Sequence, residues 1–584
     1  MAEQNQKFIH RTAGFAEKTL YEALLYGAAI DSDAPAFLYK GQSLKFRAFV
    51  RLVDKTAAAL LRAGVKEGDV VSLTLPNMPK AAAVLYAVNK IGAVTHLNHV
   101  LEPAERLEKT LRETGSKVLF TLDTNVVPYA EFCKRNGVRL ISCCPADELG
   151  AVIRTFYRRR EKLTREKRGA AEDFFAFIKG AEAAAEDFVR RGNQSTSVLI
   201  NSGGTTGTPK TIEISDKAIN FLSAEGPRLI ETDRLSYRYM MSPLPIFHSF
   251  GLIMGLNAMT IHGGCNVFMP KFSRRDTLRY LKKGQINYML GVPAVYEALL
   301  SRPEFSGKRL TGVEIAFVGG DVLRAETKER FDNRMRDAGS RARLMQGYGL
   351  SETLSVACVN THEECRTGSV GRPVGGVKIR VGQTPDAFAF LEGKEHGKGA
   401  LSGIPCGAQA GELLISGETL MNGYYRDGAA TAEAVRTDGD GTGWLYTGDL
   451  GAVDGDGYVY FLERIKRIVK VSGESVFPAE IEAAVTPITG VAACAAFGIP
   501  DERTGNRVVL AVEPSPGANR NKLSRTIREM LGRTVQEKAL PKSVEFLDEL
   551  PRTKMMKIDT MALSALYAKK ESDEKPYWLL KHNQ

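Results

Sequence analysis

The chain has 584 residues, 43% of them hydrophobic and 25% charged, and a formal net charge of +11 at pH 7. This length exceeds what one hydrophobic core ordinarily serves, so we expect a soluble globular protein with at least two domains. The amino terminus lacks the apolar stretch of a signal peptide, and no segment approaches the ~18 apolar residues of a membrane span. The eight cysteines show no C-x-x-C spacing, which favours reduced thiols in a cytoplasmic protein over disulfides or zinc sites.

Strands and helices alternate through the first 345 residues. Amphipathic patterns predict helices over residues 16–30 and about 45–64, and an alanine-rich helix follows that ends at Ile91. Short apolar runs predict strands at 70–75, 93–96, 117–122, 139–142, 197–200, 286–290, 314–318 and 343–345. Such alternation is typical of βαβ units and a mostly parallel sheet, so the predicted fold class is α/β.

Much of the positive charge lies in residues 154–168, ahead of a helix-like aromatic stretch at 173–178. A basic segment beside an aromatic one can dock on an anionic bilayer, so peripheral membrane contact through residues 154–178 is one interpretation. An ordinary solvated helix pair that covers the core is the other. No zinc-finger or RNA-binding signature accompanies the charge, and we expect no nucleic-acid partner.

The composition and hydrophobic pattern of the sequence change at about residue 376, where glycines and short alternating segments begin. This pattern predicts hairpins and a β-rich subdomain over about 376–463. A charged stretch at 463–467 precedes a final region of mixed strands and helices, and we place the domain boundary there. The prediction is a large domain over residues 1–463 and a small α+β domain over 464–584.

One loop concentrates glycines, hydroxyls and a lysine. The strand at 197–200 runs into residues 201–210, NSGGTTGTPK. Glycines let successive N–H groups turn into one concavity, hydroxyls add donors, and Lys210 adds a positive charge at the end of the loop. The spacing does not fit the G-x-x-x-x-G-K-[ST] pattern. We predict a phosphate-binding loop of another kind, with a solvent-exposed turn as the alternative.

A second segment, QGYGLSET at 346–353, follows a strand and brings an aromatic ring, a hydroxyl and a carboxylate together. Tyr348 offers a ring on which a purine can stack, and Glu352 offers oxygen ligands for a hard cation such as Mg²⁺. By itself, the segment also fits a loop with a buried tyrosine and a solvated glutamate.

The loop NSGGTTGTPK resembles the signature of the adenylate-forming superfamily, which includes acyl- and aryl-CoA synthetases, peptide-synthetase adenylation domains and luciferases. The resemblance implies that ATP is a substrate. Its β- and γ-phosphates would be held by the loop residues Ser202, Gly203, Gly204, Thr205, Thr206, Gly207 and Lys210. The segment 346–353 matches the superfamily motif Y-G-x-[ST]-E, which places Gly347, Tyr348 and Ser351 in the nucleotide site and Glu352 at the metal ion.

Three more segments resemble superfamily motifs. In YTGD at 446–449, Asp449 would accept hydrogen bonds from both ribose hydroxyls, and Arg464 matches the arginine that also reaches the ribose. Gly319 and Gly320, which Asp321 follows, correspond to the glycine pair that lines the adenine pocket. The segment 243–251 matches F-H-x-x-G, in which His248 would orient or gate the reacting carboxylate.

The remaining motifs lie near the carboxy terminus. Residues 550–559 resemble P-R-T-x-x-G-K-x-D, whose lysine, here Lys557, bridges the attacking carboxylate and the α-phosphate. Met556 stands where the family has glycine, and if a tight turn is needed there, methionine would slow adenylation. Residues 463–482 match the segment that opens the small domain, with Lys466 at the hinge and Gly473 on the side presented to a pantetheine thiol.

The resemblance, to the acyl-CoA synthetase branch, implies a two-step reaction in which a carboxylate attacks Mg·ATP to give an acyl adenylate and pyrophosphate, and CoA then displaces AMP. Amino-acid-activating relatives carry Asp at the position of His248, which argues against an amino acid. The apolar stretch at 290–296 favours a medium- or long-chain fatty acid. An aryl acid, an acyl carrier protein as acceptor and a nucleotide-binding homologue without ligase activity remain alternatives. Chain length and oligomeric state are left open.

Overall fold

The computed structural model describes residues 14–149, 151–160, 170–182, 192–202, 210–232, 234–383, 405, 407–501, 503–535, 537–553 and 557–574. Its α-helices are α1 (Leu20–Ile30), α2 (Phe46–Arg62), α3 (Pro79–Lys90), α4 (Ala104–Thr114), α5 (Val126–Arg135), α6 (Ala151–Arg160), α7 (Phe174–Ile178), α8 (Asp216–Ala224), α9 (Gly226–Leu229), α10 (Ser249–Leu252), α11 (Ala258–Ile261), α12 (Arg274–Lys282), α13 (Pro293–Leu300), α14 (Ala325–Asp337), α15 (Gly428–Ala434), α16 (Pro478–Val485), α17 (Arg520–Thr534) and α18 (Thr560–Glu574). A π-helical turn (Ile253–Asn257) joins α10 to α11, and the 3₁₀ turns include Asp123–Asn125, Asp147–Leu149, Ser351–Thr353 and Ile465–Arg467.

The strands are β1 (Pro35–Tyr39), β2 (Gln42–Lys45), β3 (Val70–Thr74), β4 (Val94–Leu97), β5 (Val118–Leu122), β6 (Arg139–Cys143), β7 (Glu172–Asp173), β8 (Thr196–Asn201), β9 (Thr211–Ser215), β10 (Tyr239–Ser242), β11 (Cys265–Phe268), β12 (Tyr288–Gly291), β13 (Ile315–Val318), β14 (Leu344–Tyr348), β15 (Cys358–Val359), β16 (Arg372–Pro373), β17 (Val377–Gly382), β18 (Gln409–Gly417), β19 (Gly423–Tyr424), β20 (Val435–Thr437), β21 (Gly443–Val453), β22 (Val459–Arg464), β23 (Val469–Val471), β24 (Glu474–Val476), β25 (Val491–Asp501), β26 (Gly505–Pro514) and β27 (Ser543–Phe546).

Two large sheets, both parallel at their centres, make up most of the amino-terminal domain. One has the strand order β19-β9-β8-β4-β3-β5-β6-β7 and the other β16-β15-β14-β13-β12-β10-β11-β1-β2. In the first sheet Val71 of β3 pairs with Thr95 of β4 and Val118 of β5, all in parallel. Strands such as β3 are buried at every position, as expected for a parallel sheet that helices cover on both faces.

The helices of this domain follow the predicted periodicity. In α2 the buried residues Phe46, Phe49, Val53, Ala57 and Leu60 recur at helical spacing and form one face. Helix α3 carries four alanines and is buried almost throughout, because small side chains let neighbouring elements approach it closely.

The two large sheets are joined at the carboxyl ends of their strands by one buried amide. Asn77, which follows β3, donates from Nδ2 to the carbonyl oxygens of Ser242 (3.0 Å) and Leu244 (2.7 Å). Its Oδ1 accepts from the Ile246 N–H at 2.9 Å. The segment after β10 that carries the predicted histidine is therefore held against the other sheet.

An antiparallel sheet follows, with β17, β18, β21 and β20 in that order and β22 on the other side of β21. Beyond it, the smaller carboxy-terminal domain pairs β25 with β26 antiparallel and β26 with β27 parallel. Helices α16 and α17 pack on one face of this three-stranded sheet, and α18 contributes Leu563 to the core on the other face.

The predicted α/β class and the larger and smaller domains are confirmed. Each predicted strand is present, with bounds that differ by at most a few residues. The boundary between residues 463 and 464 stays a prediction. No helix among the described residues is both long and apolar enough to cross a membrane.

Candidate nucleotide and acid site

The structure brings three of the predicted nucleotide-binding residues into direct contact. Asp449 lies in β21 opposite Arg464 of β22. Its Oδ1 is 2.9 Å from Arg464 Nε, and its Oδ2 accepts a hydrogen bond of 2.6 Å from the Tyr348 hydroxyl. Three segments separated by up to 116 residues thus meet at one carboxylate, which is fully buried whereas Arg464 is half exposed.

The environment of Asp449 changes its proton affinity. Burial raises the pKa of Asp449 to about 6, against the lowering effects of Arg464 and the Tyr348 hydroxyl. The carboxylate is thus still ionised at pH 7 and offers acceptor lone pairs, which is the state that a cis-diol requires.

Gly319 follows β13 and lies beside Gly347 of β14. A Cβ atom at Gly319 would be 3.3 Å from the carbonyl oxygen of Gly347 and 3.4 Å from the Phe250 ring. A side chain at this position would therefore require these neighbours to shift by a few tenths of an ångström. Gly320, the next residue, has a positive φ of 80°, which glycine adopts without strain. The two glycines and Gly347 thus form a close-packed wall beside Tyr348.

The predicted phosphate loop joins the antiparallel strands β8 and β9. Ser202 donates its N–H to the Lys210 carbonyl (2.8 Å), and its Oγ accepts from the Lys210 N–H (3.0 Å). This pair closes the base of the loop. Gly203, Gly204, Thr205, Thr206 and Gly207, together with the rest of 203–209, lie outside the described residues.

Tyr424 links the phosphate loop to the predicted metal ligand. The Lys210 Nζ lies 4.5 Å from the centre of the Tyr424 ring, a distance at which cation and ring attract. The Tyr424 hydroxyl donates to Glu352 Oε1 at 3.0 Å. Glu352 belongs to the short turn that begins at Ser351. Ser351 and Glu352 therefore both lie at the end of the candidate site that contains Tyr424 and Lys210.

His248 follows β10 and sits in an aromatic cluster. Its ring centroid is 5.1 Å from that of Phe247, which in turn is 5.0 Å from that of His99. Burial, followed by the charge of Lys557, lowers the pKa of His248 to about 4. The imidazole is therefore neutral at pH 7 and able to donate or accept a hydrogen bond without adding charge.

Lys557 reaches the site from the carboxy-terminal domain. Desolvation lowers its pKa, Asp321 and Asp449 oppose that change, and Arg464 adds to it. The loop that carries Lys557 is closed at its base, because the Thr553 N–H donates to the Lys557 carbonyl at 2.7 Å. Met556 lies outside the described residues. The charge of Lys557 thus acts on both His248 and Asp449.

Most of the chain matches two family models. A family model described as AMP-binding enzyme matches residues 27–425, and one described as AMP-binding enzyme C-terminal domain matches 480–557. This chain belongs to the AMP-binding enzyme family.

Similar proteins fall within the same family. A long-chain-fatty-acid–CoA ligase of Bacillus subtilis is 26% identical over 551 residues, which cover 93% of each chain. A feruloyl-CoA synthase of an Amycolatopsis species is 28% identical, over 91% of this chain and 95% of its own. The crystal structure of ATP-bound MatB from Rhodopseudomonas palustris shares the fold, with a TM-score of 0.78 at 22% identity, over 94% of this chain and 99% of that one.

This AMP-binding enzyme also has a partly buried charge cluster at the start of its smaller domain, whose ion pairs the sequence motifs did not predict. Arg467 is 2.5 Å from Glu482 Oε1 and 3.5 Å from Glu463 Oε1. Glu463 Oε2 accepts the Ala479 N–H of α16 at 2.8 Å. Burial raises the pKa of Glu482 to about 7. The cluster ties the last strand of the larger domain to α16 across the predicted hinge.

The residues predicted for the hinge and for the thiol side lie in two turns between β22 and α16. Lys466 is exposed in the 3₁₀ turn Ile465–Arg467. Gly473 forms a two-residue turn with Ser472 between β23 and β24, and both have positive φ values, 51° for Ser472 and 84° for Gly473. That combination is typical of a type I′ hairpin turn, in which glycine is preferred.

The apolar stretch at 290–296 divides between two cores. Leu290 faces the site side, since a Cβ at Gly255 of the π-helical turn would be 3.3 Å from its Cδ2. Tyr296 points the other way, and its hydroxyl donates to the Phe317 carbonyl at 2.6 Å. Tyr296 therefore belongs to the outer core, and the use of the rest of the stretch to bind the acid stays a prediction.

Two of the three phenylalanines at 173–178, in the predicted membrane segment 154–178, are placed differently from the expectation, whereas Phe175 is exposed. Phe174 and Phe177 are fully buried against Phe120, and Arg62 donates to the carbonyl oxygens of Phe177 and Lys179. These rings are part of the core of the amino-terminal domain. They are not available for contact with a bilayer.

The pKa of Asp449 predicts how nucleotide binding responds to acid. The raised value of about 6 means that the carboxylate gains a proton as the pH falls below 6, and protonation removes the acceptor for the ribose. We expect the affinity for ATP to fall about tenfold per pH unit below 6. Isothermal titration between pH 4.5 and 8 measures this. With the variant Asp449→Asn, the ATP phosphates still titrate, but the pH dependence of the affinity that comes from the Asp449 carboxylate should be lost. A wild-type profile no steeper than that of the variant would contradict the assignment.

Proposed function

We propose that this AMP-forming acid–thiol ligase activates a fatty acid as its acyl adenylate and transfers the acyl group to CoA. The observation that carries the proposal is the contact of Asp449 with Arg464 and Tyr348, to which Lys557 adds a positive charge that acts on both His248 and Asp449. This charge therefore acts on the place proposed for the acid and on the place proposed for the nucleotide.

In the first step, the carboxylate and the α-phosphate approach each other although both are negatively charged. Lys557 compensates that charge, and the enzyme gains rate because the cation is positioned before the reaction. Asp449 and Arg464 hold the ribose, and Tyr348 stacks on the adenine beside Gly319 and Gly320. Neutral His248 orients the carboxylate by a hydrogen bond and does not compete with Lys557 for it.

The triphosphate end is proposed to bind the phosphate loop and a magnesium ion. Glu352 fits a hard cation, because Tyr424 occupies its Oε1 and leaves Oε2 for coordination. Mg²⁺ commonly takes one or two protein carboxylates and completes its shell with phosphates and water. When bound, it neutralises charge on the leaving pyrophosphate. Lys210, held over the Tyr424 ring, adds a second positive charge to the same end.

An apolar acid is favoured by the surroundings of His248. The helix that follows it is built from buried apolar residues through the π-helical turn Ile253–Asn257, and Leu290 packs against Gly255 of this turn. The similarity to a long-chain-fatty-acid–CoA ligase supports a fatty acid. The similarity to a feruloyl-CoA synthase keeps an aryl acid as the main rival.

The second step is proposed to follow a rotation of the small domain at Lys466, with the larger domain ending at residue 463. The rotation would bring the Gly473 turn toward a pantetheine thiol. CoA is the proposed acceptor and an acyl carrier protein the alternative. The seven cysteines within the described residues are free thiols, which supports the proposed cytoplasmic setting.

The experiment that tests the proposal is pyrophosphate release by the purified protein with Mg·ATP, across fatty, aryl and amino acids, with and without CoA. Formation of AMP and acyl-CoA from a fatty acid supports it. Turnover with aryl acids alone overturns the substrate class, and adenylate without thioester points to a carrier protein. If no acid causes pyrophosphate release while ATP still binds, a homologue without ligase activity is favoured. Met556 is then the first position to replace by glycine.

A smaller effect is expected at Tyr424. Tyr424→Phe keeps the ring under Lys210 but removes the hydrogen bond to Glu352. A net hydrogen bond contributes about 0.5–1.5 kcal/mol, so the concentration of Mg·ATP needed for half-maximal rate should rise about 2–10-fold. Tyr425→Phe, one residue along, is the matched control. Equal values for both variants would show that Tyr424 does not position Glu352.

A further inference from the structure

Five large apolar side chains are exposed at one end of the eight-stranded sheet, beyond the carboxyl ends of β4, β5 and β6. Val152 is 83%, Phe156 69%, Leu101 68%, Val127 53% and Ile153 50% exposed. Scattered single apolar residues on a surface are ordinary, but several at one place indicate an interaction site.

The topology places all five side chains at this same end of the sheet. Strands β4, β5 and β6 are parallel, so the segments that follow them, which carry Leu101, Val127 and helix α6, leave the sheet together. Side chains tie these segments to one another. Asn125 Nδ2 donates to the Val100 carbonyl at 2.8 Å, and the Tyr129 hydroxyl donates to that of Glu102 at 2.6 Å.

Helix α6 is fixed to the domain by its inner face. Arg154 lies 3.5 Å from Asp147 Oδ1, and Asp147 is itself paired with the buried Lys80. The Tyr157 hydroxyl donates to Asp123 at 3.4 Å. Val152 and Phe156, at positions i and i+4, lie together on the outer face. The helix is thus anchored by polar contacts and presents its apolar side chains to solvent.

The charge of the same helix identifies the occupant. Its ten residues include four arginines and no acid, and Arg159 is exposed. In the sequence that follows, residues 161–168 add four basic residues against two glutamates. Apolar side chains interspersed with arginines fit an interface in which hydrocarbon lies beneath anionic head groups.

We propose that the surface formed by α6 and the Leu101 and Val127 segments docks on an anionic lipid bilayer. Val152, Ile153 and Phe156 insert at the boundary of head groups and acyl chains, and the exposed Arg159 binds lipid phosphates. Among the described residues of the predicted segment 154–178, those of its amino-terminal helix contribute to this surface, together with residues from two other loops that the sequence did not indicate.

The surface adjoins the proposed acid site. His99, two residues before Leu101, belongs to the aromatic cluster with Phe247 and His248. The loop after β4 therefore has one end at the surface and the other beside the reacting group. A substrate dissolved in a bilayer would be close to the site when the enzyme is docked there.

The test is flotation of the full-length protein with vesicles, one set of equal parts phosphatidylglycerol and phosphatidylcholine and one of phosphatidylcholine alone. We expect the wild type to float with the anionic set, and the double variant V152S/F156S to lose at least about tenfold in vesicle-bound fraction. The control Leu566→Ser, at a residue of α18 that is 51% exposed, should bind as the wild type does. Flotation needs no ATP or acid, so its outcome is independent of the proposed reaction.

Turnover with a water-soluble acid checks that the double variant is folded, and it should equal that of the wild type. Equal flotation of the wild type and V152S/F156S overturns the proposal, as does failure of the wild type to bind anionic vesicles. Binding of an acidic acyl carrier protein that is lost in V152S/F156S, without vesicle binding, overturns it in favour of a protein partner.

Discussion

Replacing Lys557 by alanine is expected to slow adenylate formation by about 10²–10³-fold, the usual cost of removing one positioned charge or donor at a reacting oxyanion. Binding of ATP should change little, because Asp449, Arg464 and Tyr348 form a contact set of their own. Transfer of the acyl group from preformed acyl adenylate to CoA should be retained, since Lys557 is assigned to the first step alone. Burst-phase pyrophosphate release and single-turnover thioester formation separate the two steps.

Lys542→Ala is the matched control for this variant. Lys542 is exposed in the same small domain, and its replacement removes the same charge away from the site. An adenylation rate in Lys557→Ala equal to that in Lys542→Ala would refute the role given to Lys557. Equal losses in both steps would instead indicate that the small domain no longer closes correctly.

The second large effect is expected at the ribose carboxylate. Asp449→Asn preserves size but removes the charge that pairs with Arg464 and accepts from the ribose. Hydrogen bonds to charged groups contribute about 1.5–3 kcal/mol, so the affinity for ATP at pH 7.5 should fall about 10²-fold. Titration calorimetry with ATP and with AMP should show the same loss, because both ligands carry the ribose.

Tyr348→Phe tests how much of that effect comes from the ribose. This variant keeps a ring for the adenine and removes only the hydroxyl that donates to Asp449 at 2.6 Å. Its loss of affinity should stay below about tenfold. If Tyr348→Phe loses as much as Asp449→Asn, the carboxylate acts mainly by holding the tyrosine, and the direct ribose contact is refuted.

The sequence predicted the site best where a short motif contains the functional group. The motif resemblance assigns three residues from separate segments to the nucleotide: Tyr348, Asp449 and Arg464. The structure brings the three together. Local segments are enough for this prediction, because Tyr348 and Arg464 each end a strand, Asp449 lies within one, and the strand sets the direction of each side chain.

What the sequence missed depends on tertiary packing. Tyr424, which bonds to Glu352, and Arg467, which pairs with Glu482, are ordinary residues until distant segments meet around them. In the sequence, Phe174 and Phe177 follow a basic segment and fit a membrane-docking pattern. In the structure, they are buried against Phe120. Residues 203–209 and Met556 lie outside the described residues, and their assignments stay predictions.

The register of β21 and β22 bears on the order in which products leave. Arg464 is paired with Asp449, and the 3₁₀ turn Ile465–Arg467 begins at the next residue. A rotation at Lys466 would therefore turn the small domain about a point next to the ribose and leave Asp449 and Tyr348 in place. AMP would remain bound while the triphosphate end opens. Pyrophosphate should then dissociate first and AMP last, and AMP should act as a competitive inhibitor toward ATP.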